Sequence, residues 1–332
     1  MIHHRVVIVG GGPAGAACAK ALVEAGENPL VLDKDTFPRH KVCAGWLTPD
    51  VFASLEMHPE DYPGDLSVFP YLKIYLNGFP LTRSGKQYAI RRMEFDHWLL
   101  DRSGAKVIQH EVKDIQLTEG GYCLDGQIEC EVLVGAGGTH CPVFRHFYGE
   151  RHPRSGAKII ALEDEFQENW QDPVCRLWFF ENGLPGYAWY VPKTGGYLNI
   201  GVGGNLEKLK QRRTTIQDHW EYLVRKIRKL GLTRKKGLQP RGYLYHLRGK
   251  EPQRLAENLY VIGDAAGLAT LDMGEGIGPA IQSGQLAGEA ILTQSSFSVD
   301  AVSKYSLIPR WLRWVSRAGI LCWAPGLMKF VA

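Results

Sequence analysis

The chain alternates short apolar runs with glycine-rich turns, and its first 35 residues carry the clearest pattern. An apolar run over 6–9 precedes a glycine cluster, a helix-compatible stretch follows, and a second apolar run ends at Asp33. Apolar runs of this length, bounded by glycine, are typical of buried strands in a parallel sheet. The pattern therefore predicts a strand, a helix and a second strand.

Farther along, the pattern predicts an antiparallel region followed by helices. Asn77-Gly78 stands between two apolar runs and predicts a hairpin over 71–90, because this dipeptide favours the tight turn that joins antiparallel strands. The other predicted elements are a helix over 93–103, a strand over 131–135, antiparallel strands over 174–180, 187–191 and 197–202, one amphipathic helix over 206–230 and a helix over 275–292.

The glycine cluster has the spacing of a dinucleotide-binding turn. Gly10 permits the sharp turn, Gly12 lets backbone N–H groups approach phosphates, and Gly15 lets the helix pack close to the strand. The helix N-terminus favours the pyrophosphate, and Asp33 can accept hydrogen bonds from both hydroxyls of a ribose. The pattern predicts a dinucleotide site, with a purely structural glycine turn as the alternative.

A second motif, far along the chain, distinguishes between dinucleotides. A short apolar run over 259–262 ends at Gly263-Asp264. FAD is long enough to need such a second element, in which the aspartate accepts hydrogen bonds from the ribityl chain, whereas nicotinamide dehydrogenases do not need it. The two motifs together favour FAD over the alternative that Asp264 only caps a helix.

Length and composition fit a globular protein with two domains, since the 332 residues are 45% hydrophobic and 22% charged. Seven cysteines without a C-x-x-C pair predict neither a zinc site nor a redox-active disulfide, so no metal is expected. Because a core strand begins at the N-terminus and no 18-residue apolar stretch is present, neither a signal peptide nor a membrane span is expected. The expected location is cytoplasmic, with peripheral contact to the inner membrane face as a variant.

The net charge of +4 is distributed unevenly. Residues 208–250 hold 14 lysines and arginines but only two acids, Asp218 and Glu221. A solvated helix face, an anionic membrane surface and a phosphorylated substrate all fit this basic segment. No nucleic-acid partner is expected, because no aromatic-interleaved binding module accompanies the charge.

The C-terminal segment 304–332 after Lys304 contains no acid. A helical projection from Leu307 to Trp323 places Arg310, Arg313 and Arg317 on one face and tryptophans on the other. Such a helix suits a membrane interface, where indoles lie at the headgroups and arginines meet anionic lipid. Peripheral membrane contact through 304–332 and packing on the protein's own domain are the two interpretations.

Five motifs stand in order over roughly residues 5–290. They are the glycine turn with Asp33, FPRHKVCAG at 37–45, RMEFD at 92–96, PGYAWYVP at 185–192, and GDAAG at 263–267 with GEGI at 274–277. In this order they resemble the motifs of the geranylgeranyl reductase branch of the FAD-dependent oxidoreductases that share the p-hydroxybenzoate hydroxylase architecture.

The resemblance implies an FAD site and a substrate cavity. Together with the two motifs above, it gives the expected FAD contacts Gly10, Gly12, Ala14, Gly15, Asp33, Lys34, Arg39, Lys41, Cys43, Ala44, Arg92, Gly137, Gly263, Asp264, Gly274, Gly276 and Ile277. Cys43 would be catalytic beside the flavin, and the residues lining the substrate cavity would be Trp46, Tyr187, Trp189 and Pro192. Tyr187 and Trp189 alternate on one face of a strand, so both can reach one pocket. A buried structural cysteine and core aromatic residues are the alternatives.

The chain also departs from the family pattern. Cys43-Ala44-Gly45-Trp46 replaces a run of glycines, and Val191 replaces a phenylalanine. Ala136-Gly137-Gly138 stands where the wider superfamily often has Ala-Asp-Gly. Because one carboxylate is missing there and no second glycine fingerprint is present, the electron donor is left open between NAD(P)H and a reduced carrier protein.

The sequence thus predicts an α/β fold: a Rossmann-like FAD-binding domain (1–70, 91–150 and 255–300), an inserted antiparallel substrate domain (71–90 and 151–254) and a C-terminal helical tail (301–332). The predicted function is reduction of carbon–carbon double bonds in an isoprenoid or other lipid-like, apolar substrate by hydride transfer from reduced flavin. An aromatic hydroxylase or halogenase-like monooxygenase, and a flavin-bearing lipid-binding or redox-sensing protein without turnover, are the alternatives.

Overall fold

The computed structural model describes residues 1–149, 153–250 and 256–307, which form two compact units. Of the described residues, the first unit contains 1–33, 103–149, 153–156, 246–250 and 256–307; the second contains 34–102 and 157–245. The sequence predicts 34–70 and 91–102 in the cofactor domain, whereas in the structure these residues group with the second unit. It also predicts 153–156 and 246–250 in the substrate domain, whereas they group with the first unit.

The described residues form seven α-helices and fifteen strands. The helices are α1 (Pro13–Glu24), α2 (Pro49–Ser54), α3 (Arg92–Arg102), α4 (Pro142–Phe147), α5 (Leu206–Gln211), α6 (Ile216–Lys229) and α7 (Ile277–Thr293). The strands are β1 (Ile2–Val9), β2 (Leu30–Asp33), β3 (Trp46–Leu47), β4 (Ser67–Leu76), β5 (Phe79–Ala89), β6 (Lys106–Gln109), β7 (Ile115–Thr118), β8 (Gly121–Leu124), β9 (Ile128–Gly135), β10 (Lys158–Gln167), β11 (Arg176–Phe179), β12 (Gly186–Lys193), β13 (Tyr197–Asn205), β14 (Arg241–His246) and β15 (Leu259–Val261).

The first unit is built on a seven-stranded sheet in the order β6-β2-β1-β9-β8-β7, with β15 also paired to β9. The pairs β6/β2, β2/β1, β1/β9 and β9/β15 are parallel. Val9 pairs with both Leu32 and Gly135, so the segments that follow these strands leave the sheet at the same edge. This edge is where doubly wound sheets bind ligands, and the predicted strand–helix–strand start is confirmed.

Helices α1 and α7 approach closely because α7 carries glycine at the contact. A Cβ at Gly284 would lie 2.2 Å from the Ala14 carbonyl oxygen, and one at Gly288 would lie 2.7 Å from Cβ of Ala21. Side chains of the sheet, among them Val7, Leu133 and Tyr122, belong to one buried hydrophobic cluster. The first unit therefore has the Rossmann-like character that the sequence predicts.

The second unit contains an eight-stranded sheet in the order β14-β10-β13-β12-β11-β4-β5-β3. From β10 to β3 along this order, neighbouring strands are antiparallel, except for β11 and β4, which run parallel. The predicted hairpin is confirmed as β4 and β5. Its turn residues Asn77 and Gly78 have φ angles of 48° and 88°, the left-handed conformations that a two-residue hairpin turn requires.

One face of this sheet is covered by α5 and α6. Trp178, Tyr190 and Ile200 from the sheet share a buried cluster with Trp220 and Leu223 of α6. Because side chains alternate along a strand, residues at the intervening positions of β12 and β13 lie on the opposite face. That opposite face carries the aromatic and polar residues described below.

The prediction of a single amphipathic helix over 206–230 is wrong, because this segment forms two helices, α5 and α6. Arg213 adopts a left-handed φ of 53°, which ends the first helix. Thr215 then caps α6: its Oγ1 accepts from the Asp218 N–H at 3.2 Å, and an Asp218 carboxylate oxygen accepts from the Thr215 N–H at 2.8 Å. This reciprocal capping starts a new helix.

Within the described ranges, no helix combines the length and the apolar character needed to cross a bilayer. The amphipathic helix predicted over 307–323 lies, apart from Leu307, outside the described residues. The same holds for most of the predicted tail, because the description ends at residue 307.

Candidate functional site

The glycine turn after β1 needs glycine at two positions. Gly10 has a φ of 116°, and a Cβ there would lie 2.5 Å from the Ala136 carbonyl carbon; a Cβ at Gly15 would lie 1.9 Å from the Gly10 carbonyl oxygen. Gly12 is different, because its φ of −72° is open to any residue. Its missing side chain serves instead to leave the N-terminus of α1 uncovered.

Asp33 is oriented by this turn. One of its carboxylate oxygens accepts from the Gly11 N–H at 2.7 Å, and the residue is only 8% exposed at the end of β2. The glycine turn and the carboxylate therefore form one rigid arrangement. It fits a dinucleotide, since helix N–H groups favour a pyrophosphate and the carboxylate can accept from ribose hydroxyls.

The structure brings the distant cofactor motifs of the first unit together. A Cβ at Gly10 would lie 2.7 Å from the Gly137 N atom, and one at Gly263 would lie 2.9 Å from Cβ of Ala14. A Cβ at Gly276 would lie 3.1 Å from an Asp264 carboxylate oxygen. Gly274 has a left-handed φ of 63°, and Ile277 is the first residue of α7.

Glu275 is a residue of this region that sequence reasoning did not select. It is buried, and its Oε1 accepts from the Gly278 N–H at 2.7 Å in the first turn of α7. Burial raises the pKa of its carboxyl to about 7, and the charges of Asp272 and Asp264 add to this shift, whereas the N–H groups of Gly278 and Ile277 oppose it. An acid directly before a helix was the available signal.

In the second unit, Cys43 lies beside a buried ion pair. Arg92 donates to both carboxylate oxygens of Asp96 at 2.7 and 2.8 Å, and Arg39 lies 3.6 Å from the same carboxylate. Burial opposes the charge of Arg92, but Asp96 and a hydrogen bond to the Cys43 thiol outweigh it, so the pKa of the guanidinium is raised. The Cys43 sulfur also accepts from the Gly45 N–H at 3.4 Å.

Other predicted residues of the second unit are more scattered. The Lys41 ammonium lies 2.9 Å from the centre of the Tyr243 ring. Lys34 is exposed and Ala44 is half-buried. The Trp46 indole N–H is buried with no hydrogen-bond partner among the described residues. Pro192 is buried beside Leu198, and strand alternation puts it on the face opposite Trp189, so the two cannot line one surface of the sheet.

An aromatic surface is formed by Phe179, Tyr187 and Trp189 on the face of the sheet opposite α6. Tyr187 stacks on Phe179 with ring centres 5.0 Å apart and lies 5.8 Å from Trp189. The Trp189 indole lies against Gly201, where a Cβ would come within 2.2 Å of the ring. Only glycine at position 201 leaves room for this placement.

A buried polar network, not predicted from the sequence, lies on the same face. It comprises Glu163, Glu165, Trp189, Lys193 and Asn199, and is called the Asn199 network below. Asn199 Nδ2 donates to Glu163 at 2.9 Å, and Asn199 Oδ1 accepts from the Trp189 indole N–H at 2.8 Å. Asn199 also donates to the Cys43 carbonyl oxygen at 3.3 Å. The network therefore joins the predicted catalytic cysteine to a predicted substrate residue.

The two glutamates of the network are driven apart in acidity. Burial raises the pKa of Glu163, against the opposing effects of Asn199, Lys193 and the Cys43 N–H. For Glu165, burial acts in the same direction, but Lys193 and Arg91 outweigh it and hold the pKa of that carboxyl below its usual range. Glu165 is therefore the ionised partner of Lys193, as expected for a carboxylate that contacts the two cations Lys193 and Arg91.

Three relatives of known sequence cover most of the chain. An uncharacterized protein of Methanosarcina barkeri is 30% identical over 328 residues, spanning 96% of this chain and 81% of that protein. A menaquinone reductase of Mycobacterium tuberculosis is 28% identical over 319 residues (86% and 76%). A digeranylgeranylglycerophospholipid reductase of Methanosphaera stadtmanae is 26% identical over 334 residues (92% and 80%). No protein-family model matches the chain.

Solved structures share the fold. A geranylgeranyl bacteriochlorophyll reductase-like protein of Thermoplasma acidophilum superposes with a TM-score of 0.72 at 19% identity, over 100% of this chain and 86% of that one. A flavin-dependent halogenase superposes with a TM-score of 0.68 at 20% identity, over 96% and 62%. The sequence relatives and the fold agree with the order of motifs. The chain is an enzyme that belongs to the geranylgeranyl reductase family of FAD-dependent oxidoreductases.

Proposed function

We propose that this enzyme saturates carbon–carbon double bonds in an isoprenoid or other lipid-like substrate. The observation that carries the proposal is the aromatic surface, in which the one polar atom of the Trp189 indole is already bonded to Asn199. An apolar chain can lie on such a surface without leaving a buried donor unpaired. Two sequence relatives are named as reductases of menaquinone and of digeranylgeranylglycerophospholipid, which supports this substrate class.

The residues proposed to hold FAD in the first unit are the glycine turn, Asp33, Asp264 and the N-terminus of α7. The N-terminus of α1 at Gly12 would receive the pyrophosphate, and Asp33 would accept from ribose hydroxyls. The N–H groups at Gly276 and Ile277 would favour negative charge on the flavin. When bound, reduced FAD supplies the hydride. The roles predicted for Lys34, Arg39, Lys41, Ala44 and Arg92 belong to the same proposal.

The chain must also supply a proton, because an isolated alkene accepts a hydride only when it is polarised or protonated. We assign this role to the Cys43 thiol. Its sulfur is held by the Gly45 N–H, and the neighbouring Arg92 remains charged through its pair with Asp96.

The electron donor is proposed to be NAD(P)H or a reduced carrier protein. Anaerobic mixing of the oxidised flavoprotein with NADH, NADPH or a reduced ferredoxin, followed at the flavin absorbance band, distinguishes these donors. Bleaching by one of the nicotinamides identifies the first class, and bleaching only by the carrier identifies the second.

The reaction is tested with enzyme reduced under strictly anaerobic conditions. Menaquinone and an unsaturated isoprenoid glycerophospholipid are offered as substrates, and products are analysed by mass spectrometry. The expected product gains two hydrogen atoms for each reduced bond. A product that forms only with oxygen and carries an oxygen atom from it would establish a monooxygenase instead. Protein that holds flavin but converts no substrate with any of the three donors would favour a binding or sensing role.

A further inference from the structure

The Cys43 backbone is held by a side chain of the sheet. Its carbonyl oxygen accepts from Asn199 Nδ2 of β13 at 3.3 Å. Two residues later, the Gly45 carbonyl oxygen accepts from the Ile90 N–H at 2.9 Å. The loop that carries the thiol is therefore fixed to the sheet at successive points.

The amide of Asn199 can satisfy its neighbours in only one orientation. Its nitrogen faces three acceptors, while its oxygen faces a donor, the Trp189 indole N–H. The acceptors are the carboxylates of Glu163 at 2.9 Å and Glu165 at 3.4 Å and the Cys43 carbonyl oxygen at 3.3 Å. A rotation by 180° would set donor against donor and acceptor against acceptor. These acceptors, of which Glu163 makes the shortest bond, thus fix which atom of Asn199 meets Trp189.

The Asn199 network is shielded from water, so its bonds cannot be replaced by solvent. Asn199 is 0% and Glu163 2% exposed, and Trp189 is 6% exposed. Removing one partner leaves a buried polar atom unpaired, which favours rearrangement of the remaining partners. A change at Trp189 should therefore be felt at Cys43.

We propose that Asn199, oriented by Glu163, is a positioning residue that couples the Trp189 indole to the Cys43 thiol. The inference rests on the proposed function only in that Cys43 and Trp189 are its acid and its substrate-lining residue. A substrate chain that shifts the indole moves the Asn199 amide and, through it, the Cys43 carbonyl. The position of the Cys43 thiol thereby depends on how well the substrate fits the aromatic surface.

The test measures how fast iodoacetamide alkylates Cys43 in the FAD-loaded protein, by mass spectrometry of the peptide that contains it. Asn199→Asp keeps the shape of the side chain but removes both N–H donors. It is expected to change the alkylation rate by about five- to tenfold, which corresponds to loss of the one hydrogen bond to the Cys43 carbonyl oxygen. Trp189→Phe keeps a ring but removes the indole N–H, and a shift in the same direction is expected.

The double variant carries the decisive comparison. If Asn199 transmits the effect, Trp189→Phe alters the alkylation rate in the natural background but adds nothing in the Asn199→Asp background. Equal effects in both backgrounds would overturn the proposal, as would an Asn199→Asp protein with the natural rate. Gln167→Ala, on the neighbouring strand β10, is the control: its amide donates to the Tyr197 hydroxyl at 3.3 Å and the residue is exposed, so no change is expected.

Turnover provides the second measurement. Asn199→Asp is expected to lower kcat by about tenfold or more with KM and FAD content little changed, as for a misplaced catalytic group. If Asn199→Asp does not fold with FAD, Asn199→Ser is used, since its shorter side chain cannot reach both Glu163 and Trp189. Coupling in the alkylation assay without any lipid reduction would leave the positioning role intact and contradict the proposed function. Lipid reduction without coupling would contradict only the positioning role.

Discussion

The Arg92 guanidinium and the Asp96 carboxylate meet in a two-bond ion pair across one turn of α3, and Asp96 is fully buried. Arg39 shares the same carboxylate at 3.6 Å. The free-energy cost of removing both charges from water offsets most of their attraction, so the intact pair adds little net stability. Removing only one member is strongly destabilising, because the other charge then stays buried without a partner.

Asp96→Ala is expected to lower the free energy of unfolding by about 3–5 kcal/mol, because the buried Arg92 loses its counter-charge. Urea unfolding followed by circular dichroism measures the change. The double variant Arg92→Met/Asp96→Leu removes both charges and should recover much of the loss. An Asp96→Ala protein as stable as the natural one would mean that the pair is hydrated in solution.

Gly12→Val is expected to abolish FAD binding while leaving the fold intact. The φ of −72° at Gly12 accepts a β-branched residue, but the added side chain would cover the N-terminus of α1. Flavin absorbance relative to protein, together with the melting temperature of the flavin-free protein, separates the two effects. Gly120→Ala, at a glycine with open space around it, serves as the control. A yellow Gly12→Val protein would disprove the proposed pyrophosphate site.

Glu275 is expected to make stability depend on pH. Its folded pKa of about 7 lies above the unfolded value, so the folded state retains a proton that the unfolded state has lost. The contribution of Glu275 to stability is then fully present at low pH and is lost as pH rises through its folded pKa of about 7, by about 3 kcal/mol in total. Glu275→Gln should flatten this dependence in denaturant unfolding between pH 5 and pH 8, at matched FAD content. Parallel pH profiles for the two proteins would show that Glu275 is not responsible.

Cys43→Ala is expected to lower turnover and leave FAD bound, because the thiol is the proposed proton donor. Cys175→Ala is the matched control: that thiol is buried directly before β11, and its pKa is raised to about 12 by burial. Steady-state reduction of an unsaturated lipid measures the difference. Equal turnover in the two variants would assign Cys43 a structural role.

Membrane contact through the C-terminal segment is tested by truncation. The cut is placed after Leu307, because the N–H groups of Ser306 and Leu307 donate to Asp272 and should be kept. The full chain is expected to cosediment with vesicles that contain anionic lipid, and the protein without 308–332 should stay in solution with its FAD. A full chain that ignores vesicles, with a truncated form that aggregates, would place the segment in the protein's core.

The sequence was most informative where local rules apply. The glycine turn and Asp33 were recognisable because a strand, a turn and a helix follow one another directly. Asn77-Gly78 specified its hairpin for the same reason. The break between α5 and α6 was not predicted, although Thr215 and Asp218 have the spacing of a capping box. The amphipathic spacing continues on both sides of the break and therefore suggested one helix.

The Asn199 network could not be derived in this way. Its five members stand on three strands, and no local pattern in the sequence indicates which carboxylate Asn199 will meet. A weaker signal was present: Glu163 and Glu165 occupy alternate positions of one predicted β-segment, and Asn199 interrupts the apolar run of another. Polar residues in such positions are buried with partners, but the partners are set by strand order and register.

The parallel pairing of β4 with β11 also has a consequence for synthesis on the ribosome. Lys73 pairs with Arg176, so the first hairpin of the second sheet emerges with one edge bare until some hundred further residues have been made. The first sheet likewise waits for β15, at 259–261. Neither sheet can complete its strand pairing until these late strands have been synthesised, so both units finish folding late rather than one after the other. During that interval the bare edge of β4 is a place where self-association competes with folding.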